Sequence, residues 1–177
     1  MIQSITSMTS RRPGKQLVET DFLKPVARAI APARTKPFNA AEFYRTGTGL
    51  YVYEIFADRL DLNARQTVDS APERPYVSLL LKVNGYDKDI CKELPETHLS
   101  TLEDTAGLIE AQPGGKSGFL LNNGCANIFY VEGKNSGVFA VGVGWSSGAR
   151  EWNVDDWRID ASGEWAADRH VLCPGNA

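Results

Sequence analysis

Few residues in this chain are suited to covalent or acid–base chemistry. Its 177 residues include two histidines, His98 and His170, and three cysteines, Cys91, Cys125 and Cys173. Cys125 follows Asn122-Asn123-Gly124, an Asn-Gly pair between apolar runs that signals a tight hairpin turn. A thiol just after such a turn is open to substrate. It becomes a nucleophile when a nearby imidazolium or a helix N-terminus lowers its pKa. His170, with Asp168 two residues earlier on the same strand face, is one partner for it, and His98 is the other. Nothing places Cys125 at a helix start, and a free cysteine in a sheet is more commonly a small packed side chain. A cysteine-dependent enzyme using Cys125 with His170 or His98 is therefore an alternative reading.

The carboxylates Asp155, Asp156 and Asp160 are hard-cation ligands by type. The glycine and terminal glutamate of a calcium loop are missing, so they read as a solvated turn or bulge and no metal site is expected. The cysteines lack the close Cys/His pairs of structural zinc. Thr46-Gly47-Thr48-Gly49 lacks the further glycine or the Lys-Ser/Thr pair of a phosphate loop, so no cofactor is expected.

Aromatic residues are the third resource. All four tryptophans, Trp145, Trp152, Trp157 and Trp165, fall between Gly118 and Cys173. Trp and Arg dominate binding hot spots. Trp152 and Trp157, with Arg150, Arg158, Asp155 and Asp156, form the candidate binding set. The bland alternative is that all four tryptophans build the core.

These residues need strands to position them. Residues 138–145 (VFAVGVGW) alternate a large apolar face with a small one containing Gly142 and Gly144. The small face suits a bend or the underside of an aromatic ring, and it also lets a ligand approach. In residues 151–160 (EWNVDDWRID), Trp152 and Val154 share one parity, and Trp157 and Ile159 the other. A β-bulge at Asp155-Asp156 is expected to reconcile them. Residues 165–173 read as one last strand, and residues 50–57 and 76–83 as two early ones. Asn39 is placed to cap a short helix, Asp87 to cap 88–94, and Ser100-Thr101-Leu102-Glu103 matches a capping box. The expected class is α+β with a predominantly antiparallel curved sheet: two N-terminal strands, two short helices, then a C-terminal meander of four to five strands.

Composition places the chain among ordinary globular proteins, with 42% hydrophobic residues and a formal charge of −3. No apolar run spans a bilayer and no secretory signal is read, so no membrane association is expected. Three sparse cysteines fit reduced thiols and a cytoplasmic location. Residues 1–37 carry seven basic and two acidic residues with four prolines, and read as a basic N-terminal arm open to disorder. Residues 38–177 read as a single α+β domain. Within the arm, residues 26–31 have room for one short helical turn. The arm is a candidate for nucleic acid, although Phe22 alone is available to stack a base. The leading reading is a small protein-interaction module, an inhibitor or adaptor. It binds a basic or nucleic-acid-associated protein through an acidic, Trp-containing sheet face.

Overall fold

A computed structural model describes residues 17–47, 49–161 and 163–175. Arg11, Arg12 and Lys15 of the arm, and Thr48 of the 46–49 turn, lie outside the described residues.

The strands are β1 (Leu23–Ala31), β2 (Leu50–Val52), β3 (Arg74–Leu81), β4 (Gly85–Tyr86), β5 (Asn127–Glu132), β6 (Val138–Ser146), β7 (Glu151–Arg158), β8 (Glu164–Trp165) and β9 (His170–Pro174). The helices are α1 (Ala40–Phe43), α2 (Phe56–Arg59), α3 (Asp87–Glu93) and α4 (Leu102–Glu110). Among the described residues, seven strands form one sheet in the order β1-β3-β9-β5-β6-β7-β2, and β4 and β8 pair separately. No helix among the described residues is long and apolar enough to cross a membrane.

The class is α+β, but the predominantly antiparallel meander is corrected. The sheet is mixed, because β9 runs parallel to β5 and β2 runs parallel to β7. The last strand does not continue the meander. It slots between β3 and β5. The reason lies in burial: β5 (NIFYVE) and β9 (HVLCP) are apolar on both parities, as strands covered on both faces must be. Such strands occupy the middle of a sheet rather than its edge.

Several local expectations change for similar reasons. Residues 165–173 divide into β8 and β9 around a turn. Of residues 50–57, only the first three form a strand before the chain turns into α2. Residues 26–31, where a helical turn had room, belong to edge strand β1, in which 27–31 pair antiparallel with β3 and Val26 is left unpaired at a bulge. The Asn-Gly turn does not close a hairpin. Leu121 N–H donates to the Asn127 side chain instead of to a ladder partner. The expected bulge at Asp155-Asp156 is absent, since β6 and β7 pair in unbroken register from Phe139↔Arg158 to Ser146↔Glu151.

Each sheet face carries its own core. On one face Tyr44 just beyond α1, Phe56 of α2, and Leu102 and Ile109 of α4 share a core with Phe129, Val141, Trp152 and Val154. On the other, Ile90 of α3, Leu94 just beyond it and Trp165 of β8 pack on Leu79, Ile128, Tyr130 and Val171. Fully burying one such side chain contributes about 1.5–3 kcal/mol.

Candidate binding site

The second core stops short of the sheet's far edge. None of its members comes from β7 or β2. Strand alternation sends Trp152, Val154 and Asp156 toward the helices, so Glu151, Asn153, Asp155 and Trp157 point to the opposite face. Tyr51 of β2 joins them, because Leu50 and Val52 are buried on the helical side. Opposite these β7 residues, the same face of β6 presents Ala140, Gly142, Gly144 and Ser146. The result is a partly open strip with two half-buried carboxylates, no basic residue and exposed aromatic rings at both ends. Tyr51 and Tyr53 meet edge to face at 5.2 Å at one end. Trp157, 38% exposed, meets Trp165 at 4.9 Å and 84° at the other.

Gly142 makes the Trp pair fit. A Cβ on Gly142 would sit 2.7 Å from Trp157 Cζ3 and 3.5 Å from Trp165 Cη2. The small face of β6 thus lies beneath an aromatic ring at this position.

Beside the two rings is a cavity of about 280 Å³ whose lining includes Trp157, Trp165, Asp87, Glu164 and Arg169. Asp87 is only 4% exposed. Its Oδ1 accepts from Trp165 Nε1–H at 2.7 Å and from Tyr130 O–H at 2.8 Å. Burial raises the Asp87 carboxyl above its ordinary value, opposed by those two hydrogen bonds. Asp87 does not cap α3. Tyr86 occupies the cap position, and Asp87 is the first helical residue with its carboxylate turned inward. Sequence reasoning missed its role, because an aspartate ahead of a helical run looks like a cap. A two-residue strand carries Trp165 onto it, and so short a strand leaves little trace in the sequence.

The candidate binding residues are not all brought together. Trp157 and Asp155 share the strip. Trp152 is buried on the opposite face, donating Nε1–H to Gln112 C=O at 3.3 Å, and touches a separate cleft of about 470 Å³ with Arg150. Asp156 points inward beside Arg59, with 3.3 Å between Nη1 and Oδ2, while its Oδ1 has no hydrogen-bond partner among the described residues. Burial raises both Asp155 and Asp156. Adjacent on one strand, the two carboxylates face opposite sides and cannot share a cation. Asp160 is engaged with Arg158, Nε to Oδ1 at 2.9 Å and Nη2 to Oδ2 at 3.0 Å. No cluster of metal-ligating side chains occurs among the described residues.

The thiol set is dispersed as well. Among the described residues, no hydrogen bond joins Cys125 to a histidine. Its N–H donates to Asn123 Oδ1 at 3.0 Å. His98 Nδ1 lies 2.7 Å from Pro95 C=O, and His170 Nδ1 lies 2.8 Å from Ser78 Oγ. The Ser78–His170 pair, from neighbouring strands, leaves no signal in the sequence. Burial lowers His170, favouring the neutral imidazole. Ser78 is fully buried, so a substrate carbonyl has no path to its Oγ. Burial pushes Cys91 up to about 11 and Cys173 up to about 12, which makes both poor nucleophiles.

Compared with protein-family models, curated proteins and solved structures, the chain matches none.

Proposed function

We propose that this protein is an interaction module that takes a basic protein partner on the open strip of β6, β7 and β2. The observation that carries the reading is the partly open strip itself. It combines the acidic residues Glu151 and Asp155 with exposed Tyr51 and Trp157, on a face whose other half is packed. Complementary charge speeds encounter with a basic surface, and the aromatic rings supply contact area at low entropic cost. Its three free cysteines support a reducing compartment, the cytoplasm. Binding through the strip needs no part of residues 1–37. Lys24 and Arg28 of that segment sit exposed on β1, at the opposite edge of the sheet.

The test is an array of lysine- and arginine-rich peptides probed with the full chain and with Y51A, D155K and W157A. The reading expects binding that weakens with salt, falls about tenfold or more in D155K and falls in each aromatic variant. These side chains are at least partly exposed, so circular dichroism is expected to show intact folds. Binding indifferent to all three substitutions, or no binding to any basic peptide, removes this reading.

A further inference from the structure

The cavity beside Trp157 and Trp165 has a property that the strip alone does not explain. It holds a buried carboxylate, Asp87, that forms no ion pair among the described residues. Both of its hydrogen bonds come from neutral donors onto the same oxygen. Oδ2 accepts nothing from the described residues. A carboxylate this deeply buried ordinarily has a cationic partner, because its desolvation is otherwise uncompensated.

The nearby cations make their contacts with groups other than Asp87. Arg169 lines the same cavity, yet its Nη1 donates to the Ala166 and Ala167 carbonyls at 3.3 and 3.2 Å. Lys88 follows Asp87 in α3, but its Nζ lies over the Tyr86 ring at 5.7 Å. Glu164 adds a second carboxylate to the rim. The remaining neighbours, Tyr130 and Cys91, are both raised by burial and stay neutral.

We infer that this cavity is a binding site for an alkylammonium group, seated beside the edge-to-face indole pair of Trp157 and Trp165 with its charge toward Asp87 Oδ2. Indole faces attract organic cations through the ring quadrupole, most strongly when water is excluded. An anion is opposed by Asp87 and Glu164. A metal ion lacks ligands, since no group of three or more ligating side chains is gathered here among the described residues. A neutral apolar guest leaves the carboxylate further desolvated. The volume of about 280 Å³ accepts a head group and a short stem rather than an extended molecule. The inference deepens the reading of the strip and rests on it for one source of the ammonium, a lysine side chain of the basic partner. The other source is a free small cation.

The experiment titrates the full chain, followed by tryptophan fluorescence and calorimetry at matched ionic strength. Three probes are used: choline, its uncharged isostere 3,3-dimethyl-1-butanol, and Nα-acetyl-lysine methylamide. The variants are D87N and W157A. The carboxamide introduced by D87N retains an oxygen for Tyr130 and Trp165, and Trp157 is partly exposed, so both proteins are expected to fold. Saturable binding of at least one charged probe is expected, at least tenfold tighter than the isostere and weakened at least tenfold in each variant.

Equal affinity for the isostere, binding unchanged in D87N, or no saturable binding of either charged probe overturns the inference. If choline binds and the lysine derivative does not, the site stands with a free cation as its ligand. If basic peptides bind in a Tyr51- and Asp155-dependent way while both charged probes fail, the cavity inference falls and the strip reading survives.

Discussion

Asp87, Asp155 and Asp156 share one electrostatic condition: burial raises each carboxyl above its ordinary value of 3.8. A raised acid binds its proton more tightly in the folded state. Its stabilising contribution is therefore fully present below the unfolded value and is lost as pH rises through the folded one. Stability from these three groups is expected to decline as pH climbs above 3.8 toward neutrality. D87N removes one of them and keeps the acceptor for Tyr130 and Trp165. Thermal melts at neutral pH are expected to show D87N at or above the wild-type Tm, by about 2–4 °C for each kcal/mol gained. Below the ordinary carboxylate range the two proteins are expected to coincide. A large loss at neutral pH instead assigns Asp87 a purely structural role. Gly142 offers a second test. G142A pushes a methyl against the half-exposed Trp157 ring, which can swing outward, so a loss under about 2 kcal/mol is expected, together with a shift in tryptophan emission. In G115A the added methyl meets Trp145 at a backbone φ of +67°, and a larger loss is expected by chemical denaturation. The place of Gly142 was legible, because strand parity alone puts it on the small face. Asp87 was not legible, because its environment is assembled by tertiary contacts among α3, β5 and β8.

Some helix starts and turns were readable because their chemistry is local, although the Asn-Gly turn and the Asp87 cap were not. Asn39 caps α1, its Oδ1 accepting from Glu42 N–H at 3.1 Å. The 132–137 turn joins β5 and β6 with Asn135 and Ser136 both at positive φ, as its residue types suggest. The capping-box pattern places the α4 start one residue early. Thr101 rather than Ser100 is the cap, its Oγ1 accepting from Asp104 N–H at 3.1 Å. T101A is expected to cost about 0.5–2 kcal/mol in urea unfolding, and S100A is expected to lose no cap. Strand β7 shows where local reading fails. Its two apolar parities suggest a bulge, on the premise that both tryptophans seek one core. The sheet satisfies them separately instead. Trp152 enters the helical core, and Trp157 leans on Trp165 over the open face. Parallel pairing was equally out of reach. The approach of β9 to β5 and of β2 to β7 is set by long connections, and no residue within those strands records it.

At the scale of the whole molecule, one strand joins two halves of the sheet. β1 and β3 lie on one side of β9, and β5, β6, β7 and β2 lie on the other. A proline in the middle of β9, as in L172P, removes a ladder donor from a strand paired on both sides. It is expected to abolish the single cooperative unfolding transition, whereas the edge substitution V26P in β1 is expected to retain it. This order of strands also has a meaning during synthesis. β3 leaves the ribosome about 90 residues ahead of β9. At about 5–20 residues per second that interval is on the order of 4–18 s. Until β9 arrives, β3 and β5 each present a bare row of backbone donors and acceptors, the edges by which nascent chains associate with one another. The pace of translation and the supply of holdase chaperones are thus expected to govern how much of this protein reaches its folded state in the cell.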